Sequence, residues 1–469
     1  MSHPTVPFDA SSPSPADCPL AAENAAARHV EDLLERNRRE SRLLAAEAGP
    51  WEIGSVAVLG AGQIGAEIAA AALRQHLAVV LVDRDPAILA SAPGRVAAEL
   101  SAAGEPGTIE AGQPMRRLTC TTDLDRLAGC DAVIESIVED AVQKQNAYRD
   151  LEPRLAAEAI VVSNTSTIPI ARLAEGIASP ERFCGVHFFH PVRRRRAVEL
   201  IRGPRTSRRT AAKATRLIAC LGKLSVAAGD GPGFIGNRLL LAYLSEAPHL
   251  LTGGATMEAV EWAAVDFGMG LGPLRYTDEI GLETIVLAAR VLWQAFRDRV
   301  APSPLFITMY KKGRRGRKTS AGFFSYPPGA DLDSPGQPDP EIQRLIDQWA
   351  GSRREFTPEE IVCRLLFPMV IEATRLLEEG IARSPGDIDL ASVYALGFPA
   401  RRGGLLAWVD TLGARSVVDR LASWADLGPR MEPTRMLLEM LAAGGSSMMR
   451  HKGWACRVGR AQRAPPGRG

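Results

Sequence analysis

The sequence predicts an α/β protein: a doubly wound, mostly parallel sheet, followed by an all-α region made of two tandem copies of a helical unit. Three observations predict it. Between Ser55 and Asp83, a buried strand, a glycine turn, a helix, a second buried strand and an acid follow one another. From Trp51 to Gly229, strand-like apolar runs alternate with helical ones. From Phe234 onward the pattern is helical, and the run from Asn237 to Glu246 reappears from Cys363 to Glu372.

The first of these is the most informative. Ser55–Leu59 and Ala78–Val82 read as buried strands, and Gln63 to Gln75 reads as the helix between them. Gly60 permits the turn, Gly62 lets the backbone approach a diphosphate, and Gly65 lets the helix pack against the strand. The helix N-terminus offers unpaired N–H groups and a partial positive charge. Asp83, at the end of the second strand, can accept bonds from both ribose hydroxyls and would repel a 2′-phosphate. A Rossmann-like unit that prefers NAD to NADP follows, with Arg84 next door weakening the preference.

Composition bounds the alternatives. A chain of 469 residues, 46% hydrophobic and 23% charged, holds more than one globular domain. A net charge of +2 gives no electrostatic pull toward nucleic acid or a membrane surface. The seven cysteines are scattered, without metal-ligand spacing, as suits reduced thiols in a cytoplasmic protein. No signal sequence and no run long enough to span a bilayer is read, so membrane insertion is not expected.

Taken in order, residues 1–50 read as a Ser/Pro-rich disordered tail and a connector helix, Leu20 to Ala48, whose Arg/Glu-rich middle suggests a solvated helix, with a docking helix as the alternative. Residues 51–229 form the nucleotide-binding domain. Within it, Asp131–Ile137 and Ile160–Ser163 read as strands and Gln143–Ala157 as a helix. The motif from Asp230 to Gly233 marks a boundary. Residues 230–326 make the first helical domain, 327–356 a linker that is Pro/Gly/Asp-rich from Pro327 to Pro340, and 357–445 the second helical domain. Gly254 matches Gly380, and Asp278 to Gly281 matches Asp410 to Gly413. Residues 446–469 read as a basic disordered tail.

The chemistry must come from residues beyond the strand ends, where ligands bind in such sheets. His187 lies in an apolar segment, and Glu199 follows twelve residues later in a second one. An imidazole titrates near neutrality, and a carboxylate on its far nitrogen fixes the tautomer, so the two can form a general base. By spacing alone His187 also suits a satisfied core position. Ser166, just past a strand, suits either a bond to substrate oxygen or a helix N-cap. Asn237, early in the first helix of the all-α region, suits either the interdomain cleft or a structural cap.

These segments together resemble the L-3-hydroxyacyl-CoA dehydrogenases. The glycine turn, Ser163-Asn-Thr-Ser166, Phe183-x-Gly-Val-His-Phe-Phe-x-Pro, Val198-Glu199 and Asp230-x-Pro-Gly-Phe-Ile-x-Asn-Arg stand in that family's order. Gly316-Arg-Lys-Thr-Ser-Ala-Gly-Phe-Phe resembles its Gly-Arg-Lys-Thr-Gly-x-Gly-Phe-Tyr motif. The doubled helical region resembles the dehydrogenase half of the multifunctional fatty-acid oxidation enzymes, without their hydratase/isomerase half. The likeness runs roughly from Ser55 to Leu421.

The resemblance implies NAD-dependent oxidation of (S)-3-hydroxyacyl-CoA to 3-oxoacyl-CoA in fatty-acid β-oxidation. His187 matches the catalytic base and Glu199 its partner. Ser166 and Asn237 match residues that hold substrate oxygen, and Tyr394 matches a substrate contact. Gly60, Gly62, Ile64, Gly65, Asp83, Glu139, Lys144, Ser166 and His190 match cofactor positions. His190 stands where the family usually has Asn, and Glu67 follows Gly65 where a carboxylate opposes a diphosphate unless it points away. The segment from Pro86 to Gln113 lacks the lysines that hold coenzyme A phosphates in relatives. Arg95, Arg116 and Arg117 are the remaining candidates, and the Arg193–Arg196 run reads either as a substitute for them or as a solvated basic loop. The second helical copy suits a partner's role within one chain, which predicts a monomer or a weak oligomer. Two alternatives stand beside this: a dehydrogenase of 3-hydroxy acids free of coenzyme A, and an NAD-binding subunit with little catalysis that associates with a hydratase or thiolase.

Overall fold

The structure is a computed structural model that describes residues 19–102, 112–327 and 334–444. The expected tails, 1–18 and 446–469, lie outside the described residues, as does part of the stretch between Pro86 and Gln113.

Eight strands make one sheet: β1 (Ser55–Leu59), β2 (Ala78–Val82), β3 (Leu118–Thr121), β4 (Ala132–Glu135), β5 (Ile160–Ser163), β6 (Phe183–Phe188), β7 (Ala197–Arg202) and β8 (Leu224–Gly229). Their order across the sheet is β3-β2-β1-β4-β5-β6-β7-β8. Every pairing is parallel except β6 with β7. That exception follows from the short connection, since eight residues between β6 and β7 suffice for an antiparallel return but not for a crossover.

Both faces of the sheet are buried, as parallel sheets require. Val56, Val58, Ile134, Val162 and Val186 pack with Ile68 and the alanines of the helix α2 (Gln63–Arg74). Ala57, Leu59, Val133, Val161 and Phe183 belong to a core that continues into the helical region. Strand order reverses between β1 and β4, so the carboxyl ends there open a crevice.

The all-α region is built on two long helices, Gly236–Thr252 and Pro358–Glu378, one from each repeat. Their contacts are reciprocal. Arg238 holds Glu372 at 2.7 Å, and Arg364 holds Glu246 at 2.8 Å. The repeat aligns Arg238 with Arg364 and Glu246 with Glu372. The pairs are therefore related as in a two-fold interface, but inside one chain. Each copy then repeats a second device. A buried carboxylate on its next helix receives backbone N–H groups at the start of the helix after that: Glu261 from Leu274 and Arg275, Asp389 from Leu406.

One expectation needs correction. The connector helix, observed as α1 (Pro19–Ala46), is docked rather than solvated. Val30 and Leu33 are buried, Asn37 donates to the Ser225 carbonyl on the edge strand β8, and His29 lies 3.3 Å from Asp389 of the second copy. An uncovered edge strand invites unwanted pairing, and α1 removes part of that hazard. The charge-rich middle obscured the apolar pair three residues apart. The linker is also partly ordered. Gln337–Pro338 pairs with Phe324–Ser325, and Pro340–Gln348 is a helix capped by Asp339.

The Gly316 motif is a clamp on the first copy. Asp278 accepts N–H bonds from Phe323 and Phe324 and a hydroxyl bond from Tyr326, and burial pushes its carboxyl up to about 6. Side chains at Gly316 or Gly322 would collide with Asp278. Among the described residues no helix is long and apolar enough to cross a membrane.

Candidate active site

The glycine turn fits a dinucleotide on its own geometry. Gly60 has φ +107°, and a Cβ there would strike the Ser136 carbonyl. A Cβ at Gly65 would strike the Gly60 carbonyl, so the helix approaches the strand only because that position is bare. A Cβ at Gly62 meets nothing within 4 Å, and Gly62 caps α2 with no side-chain bond to the first N–H groups. This is an open cradle at a helix N-terminus. Ile64 is half-buried beside it. Asp83 leans toward the turn, where its Oδ2 accepts the Ala61 N–H at 2.8 Å. Arg95 donates to the Ala61 carbonyl at 2.6 Å.

Under the neighbouring strand ends lies a satisfied polar core. Glu135, fully buried, accepts from Lys144 Nζ at 2.6 Å, Tyr148 at 2.6 Å and Ser163 at 2.7 Å. Lys144 is itself buried, and its ammonium also lies 3.4 Å from Glu139. Burial alone would lower the Lys144 pKa, but the two carboxylates outweigh it and the net direction is up. For Glu139 burial opposes ionisation, yet Lys144 and the surrounding donors hold it below the usual range. Its Oε1 accepts from the hydroxyls of Thr165 and Thr167 and from the N–H groups of Ser166 and Thr167. Glu139 thus organises the loop that carries Ser166.

His187 and Glu199 are brought together by strand register. They are directly paired residues of β6 and β7. His187 Nδ1 lies 2.7 Å from Glu199 Oε2, and both side chains are nearly inaccessible. Glu199 Oε1 accepts the N–H groups of Ile235 and Gly236 at 2.8 and 2.9 Å, where the helix Gly236–Thr252 begins. Phe234, just before them, has φ +47°, a sparsely populated conformation that aims those two N–H groups at the carboxylate. The rings of Phe189 and Phe234 flank the imidazole at 4.6 and 6.1 Å between centroids. A side chain at Gly236 would collide with Phe189. With Nδ1 held by a carboxylate fixed on both oxygens, the free role falls to Nε2.

Asn237 and Ser166 also meet. The Asn237 amide donates to the Ser166 carbonyl at 2.6 Å, which joins the loop after β5 to the first helix of the all-α region. Ser166 does not cap the following turn. Pro169 occupies the cap position, and Asp230 receives the Ile170 and Ala171 N–H groups.

Other positions fall elsewhere. Tyr394 accepts the Arg196 N–H on its carbonyl, and the Arg196 guanidinium lies 4.9 Å from its ring centre. Arg195 lies 5.0 Å over Tyr276, and Arg193 Nε is 3.3 Å from Glu99. Three arginines of the Arg193–Arg196 run are thus engaged in joining segments of the fold. Arg117 reaches the His76 carbonyl, and Arg116 is exposed. His190 is 3.0 Å from Glu67, so that carboxylate faces an imidazole.

The sequence gives no role for Asn164 within the Ser163–Ser166 motif, and the fold supplies one. Its amide oxygen accepts the Phe188 N–H, and its amide nitrogen donates to Ser136, so it ties the ends of β4 and β6 together. Its place after β5, beyond a carboxyl strand end, was the available signal.

Comparison with known proteins agrees with this layout. The family model "3-hydroxyacyl-CoA dehydrogenase, NAD binding domain" matches residues 55–231. The model "3-hydroxyacyl-CoA dehydrogenase, C-terminal domain" matches twice, at 233–326 and 361–456, once for each helical copy. Among solved structures, (S)-3-hydroxybutyryl-CoA dehydrogenase PaaH1 from Ralstonia eutropha is 33% identical, with 59% of this chain and 100% of that one covered and a TM-score of 0.55. The 3-hydroxybutyryl-CoA dehydrogenase from Escherichia coli K12 is 25% identical over 84% of this chain and 100% of that one, with a TM-score of 0.71. The dehydrogenase part of multifunctional enzyme 1 from C. elegans shares the fold at 24% identity, over 85% and 96% of the two chains, with a TM-score of 0.61.

Proposed function

Because this chain belongs to the 3-hydroxyacyl-CoA dehydrogenase family, we propose that it oxidises (S)-3-hydroxyacyl-CoA thioesters to 3-oxoacyl-CoA in fatty-acid β-oxidation, with NAD as cofactor and His187 as general base. The observation that carries the catalytic assignment is the clamp on Glu199. One of its oxygens holds the imidazole and the other holds the first turn of the helix that presents Asn237.

NAD, when bound, supplies the two-electron acceptor. The glycines Gly60, Gly62 and Gly65 with Asp83 would hold its diphosphate and ribose, and Glu139 and Lys144 would support the loop facing it. His187 Nε2 takes the proton of the substrate hydroxyl. Glu199 stabilises the imidazolium so formed and prevents the ring from turning. The Ser166 hydroxyl and the Asn237 side chain would orient the same substrate oxygen, and dipoles fixed in advance lower the barrier most effectively.

The test is His187→Gln, assayed with acetoacetyl-CoA and NADH. Turnover falls by about a hundredfold or more, the usual contribution of a positioned general base. A loss below about tenfold would mean that His187 is not the base. Free acetoacetate assayed beside the thioester settles the substrate class. Equal turnover of both favours the free-acid dehydrogenase, a reading the engaged Arg193–Arg196 run keeps alive. NADH binding with no turnover of either favours the non-catalytic subunit.

A further inference from the structure

Glu67 and His190 are each awkward alone. Glu67 sits one helical turn past Gln63, at the end of α2 that would face a dinucleotide's diphosphate, and it is buried to 3% exposure. A bare carboxylate there opposes a second negative group. His190 follows His187 by three residues, where the chain leaves β6. The fold brings them together. His190 Nδ1 lies 3.0 Å from Glu67 Oε1, the Val192 N–H donates to Oε2 at 2.7 Å, and Gln63 Nε2 donates to Oε1 at 2.8 Å. One carboxylate therefore links the first residue of α2 to the segment that follows the catalytic strand.

The other charged groups facing this pair come from every element packed around it. Arg74 lies farther along α2. Glu99 lies on α3 (Pro86–Ala102), with Arg193 at 3.3 Å from it. Lys223, just before β8, donates to the Val192 and Arg195 carbonyls. Burial raises the Glu99 carboxyl, and burial with Arg74 brings Lys223 down to about 8. For Glu67, burial opposes ionisation, but His190 and the Val192 N–H prevail and its carboxyl titrates below the usual range. Among these groups His190 is the one in hydrogen-bond contact with Glu67, and imidazole is the side-chain type suited to a proton-linked role at physiological pH.

We propose that Glu67 and His190 act as a proton-linked pair in the NAD site, so that cofactor affinity is higher with His190 protonated and falls as the imidazole loses its proton. The protonated pair has no net charge. The neutral imidazole leaves Glu67 uncompensated beside the diphosphate cradle. Both are positioning residues, and the inference rests on the NAD assignment, not on the thioester substrate.

The experiment measures the Kd of NADH, and of ADP-ribose as a probe lacking nicotinamide, by fluorescence titration of the full chain at constant ionic strength. One uncompensated charge near the diphosphate predicts a Kd about threefold to tenfold weaker at about pH 8.5 than at about pH 6 for both probes. His190→Asn should bind weakly at both pH values, with no slope. Glu67→Gln should bind tightly at both, and the double variant should match Glu67→Gln. A slope that survives in His190→Asn belongs to Lys223 or to the catalytic base and overturns the proposal. So does a pair of variants that lose thermal stability while keeping the wild-type ratio of Kd values. If Glu67→Gln fails to fold by circular dichroism, His190→Asn decides alone. Failure of the wild type to bind NADH at all would instead refute the function proposed above.

Discussion

The two helical copies share a frame and differ in what they face. Each has the long helix with an Arg and a Glu reaching across to the other copy, and each has a buried carboxylate that receives the start of a later helix. The difference lies at the first residue of the repeat. In the first copy it is Asn237, bonded to the loop after β5. In the second it is Cys363, whose thiol is buried and pushed up to about 11. Features present in both copies serve packing, because both copies need it. Features present in one serve the site or the neighbour of that copy alone. A duplicated unit thus separates scaffold from function inside a single sequence.

The largest expected effect tests that separation at its sharpest point. Asn237→Ala removes a polar group from the proposed substrate site and releases the Ser166 loop. Turnover of acetoacetyl-CoA should fall by about a hundredfold, the scale of losing one preorganised donor. Cys363→Ala, at the matching position, should leave turnover within about twofold. Comparable losses in the two variants would erase the distinction between a catalytic and a supporting copy.

How much of this was legible in the sequence depends on the range of each interaction. Gly60, Gly62, Gly65 and Asp83 could be read because a turn, a close approach and a strand end are local events with fixed spacing. His187 and Glu199 carried a spacing signal too weak to separate a dyad from two core residues. Their pairing depends on antiparallel register between β6 and β7, which a sheet otherwise parallel gives no reason to expect. Glu139 receives four bonds from a loop more than twenty residues away, and nothing in its own neighbourhood announces that. For the Arg193–Arg196 run, charge in a row says nothing about which rings and carboxylates will surround it. The same is true of α1, where Val30 and Leu33 mattered more than the arginines and glutamates between which they sit. Glu67 and His190, each read as an isolated departure, answer one another once folded.

The next comparison sets Glu261 against Asp389, the same device with different partners. Arg275 lies 3.3 Å from Glu261 without the alignment of a hydrogen bond, and burial pushes this carboxyl up to about 7 from its ordinary 4.5. A carboxyl whose pKa is raised by folding holds its proton more tightly in the native state. Its destabilising effect therefore grows as pH rises from about 4.5 and is complete above about 7. Glu261→Gln keeps an acceptor for the Leu274 N–H and removes the charge. It should stabilise the protein by roughly 2 kcal/mol at about pH 8 in denaturant unfolding, and by little near pH 4.5. An equal change at both pH values would mean that the ionised carboxylate is not strained where it lies.

The smallest effect concerns the partner that the second copy has and the first lacks. His29, a quarter exposed, lies on α1 and reaches the fully buried Asp389. Burial raises the Asp389 carboxyl, and His29 and the Leu406 N–H pull against that. His29→Ala removes one side of a partly exposed pair, so the loss should be about 0.5–1 kcal/mol. A global unfolding curve barely resolves a change of that size, and hydrogen exchange does so locally. Amides of α1 between Val30 and Ala46 should exchange faster in the variant, while those of the helix Met257–Phe267 in the first copy keep their rates. Unchanged exchange in α1 would mean that Val30, Leu33 and Asn37 hold the helix without His29. The neighbour of Asp389 would then be incidental to docking.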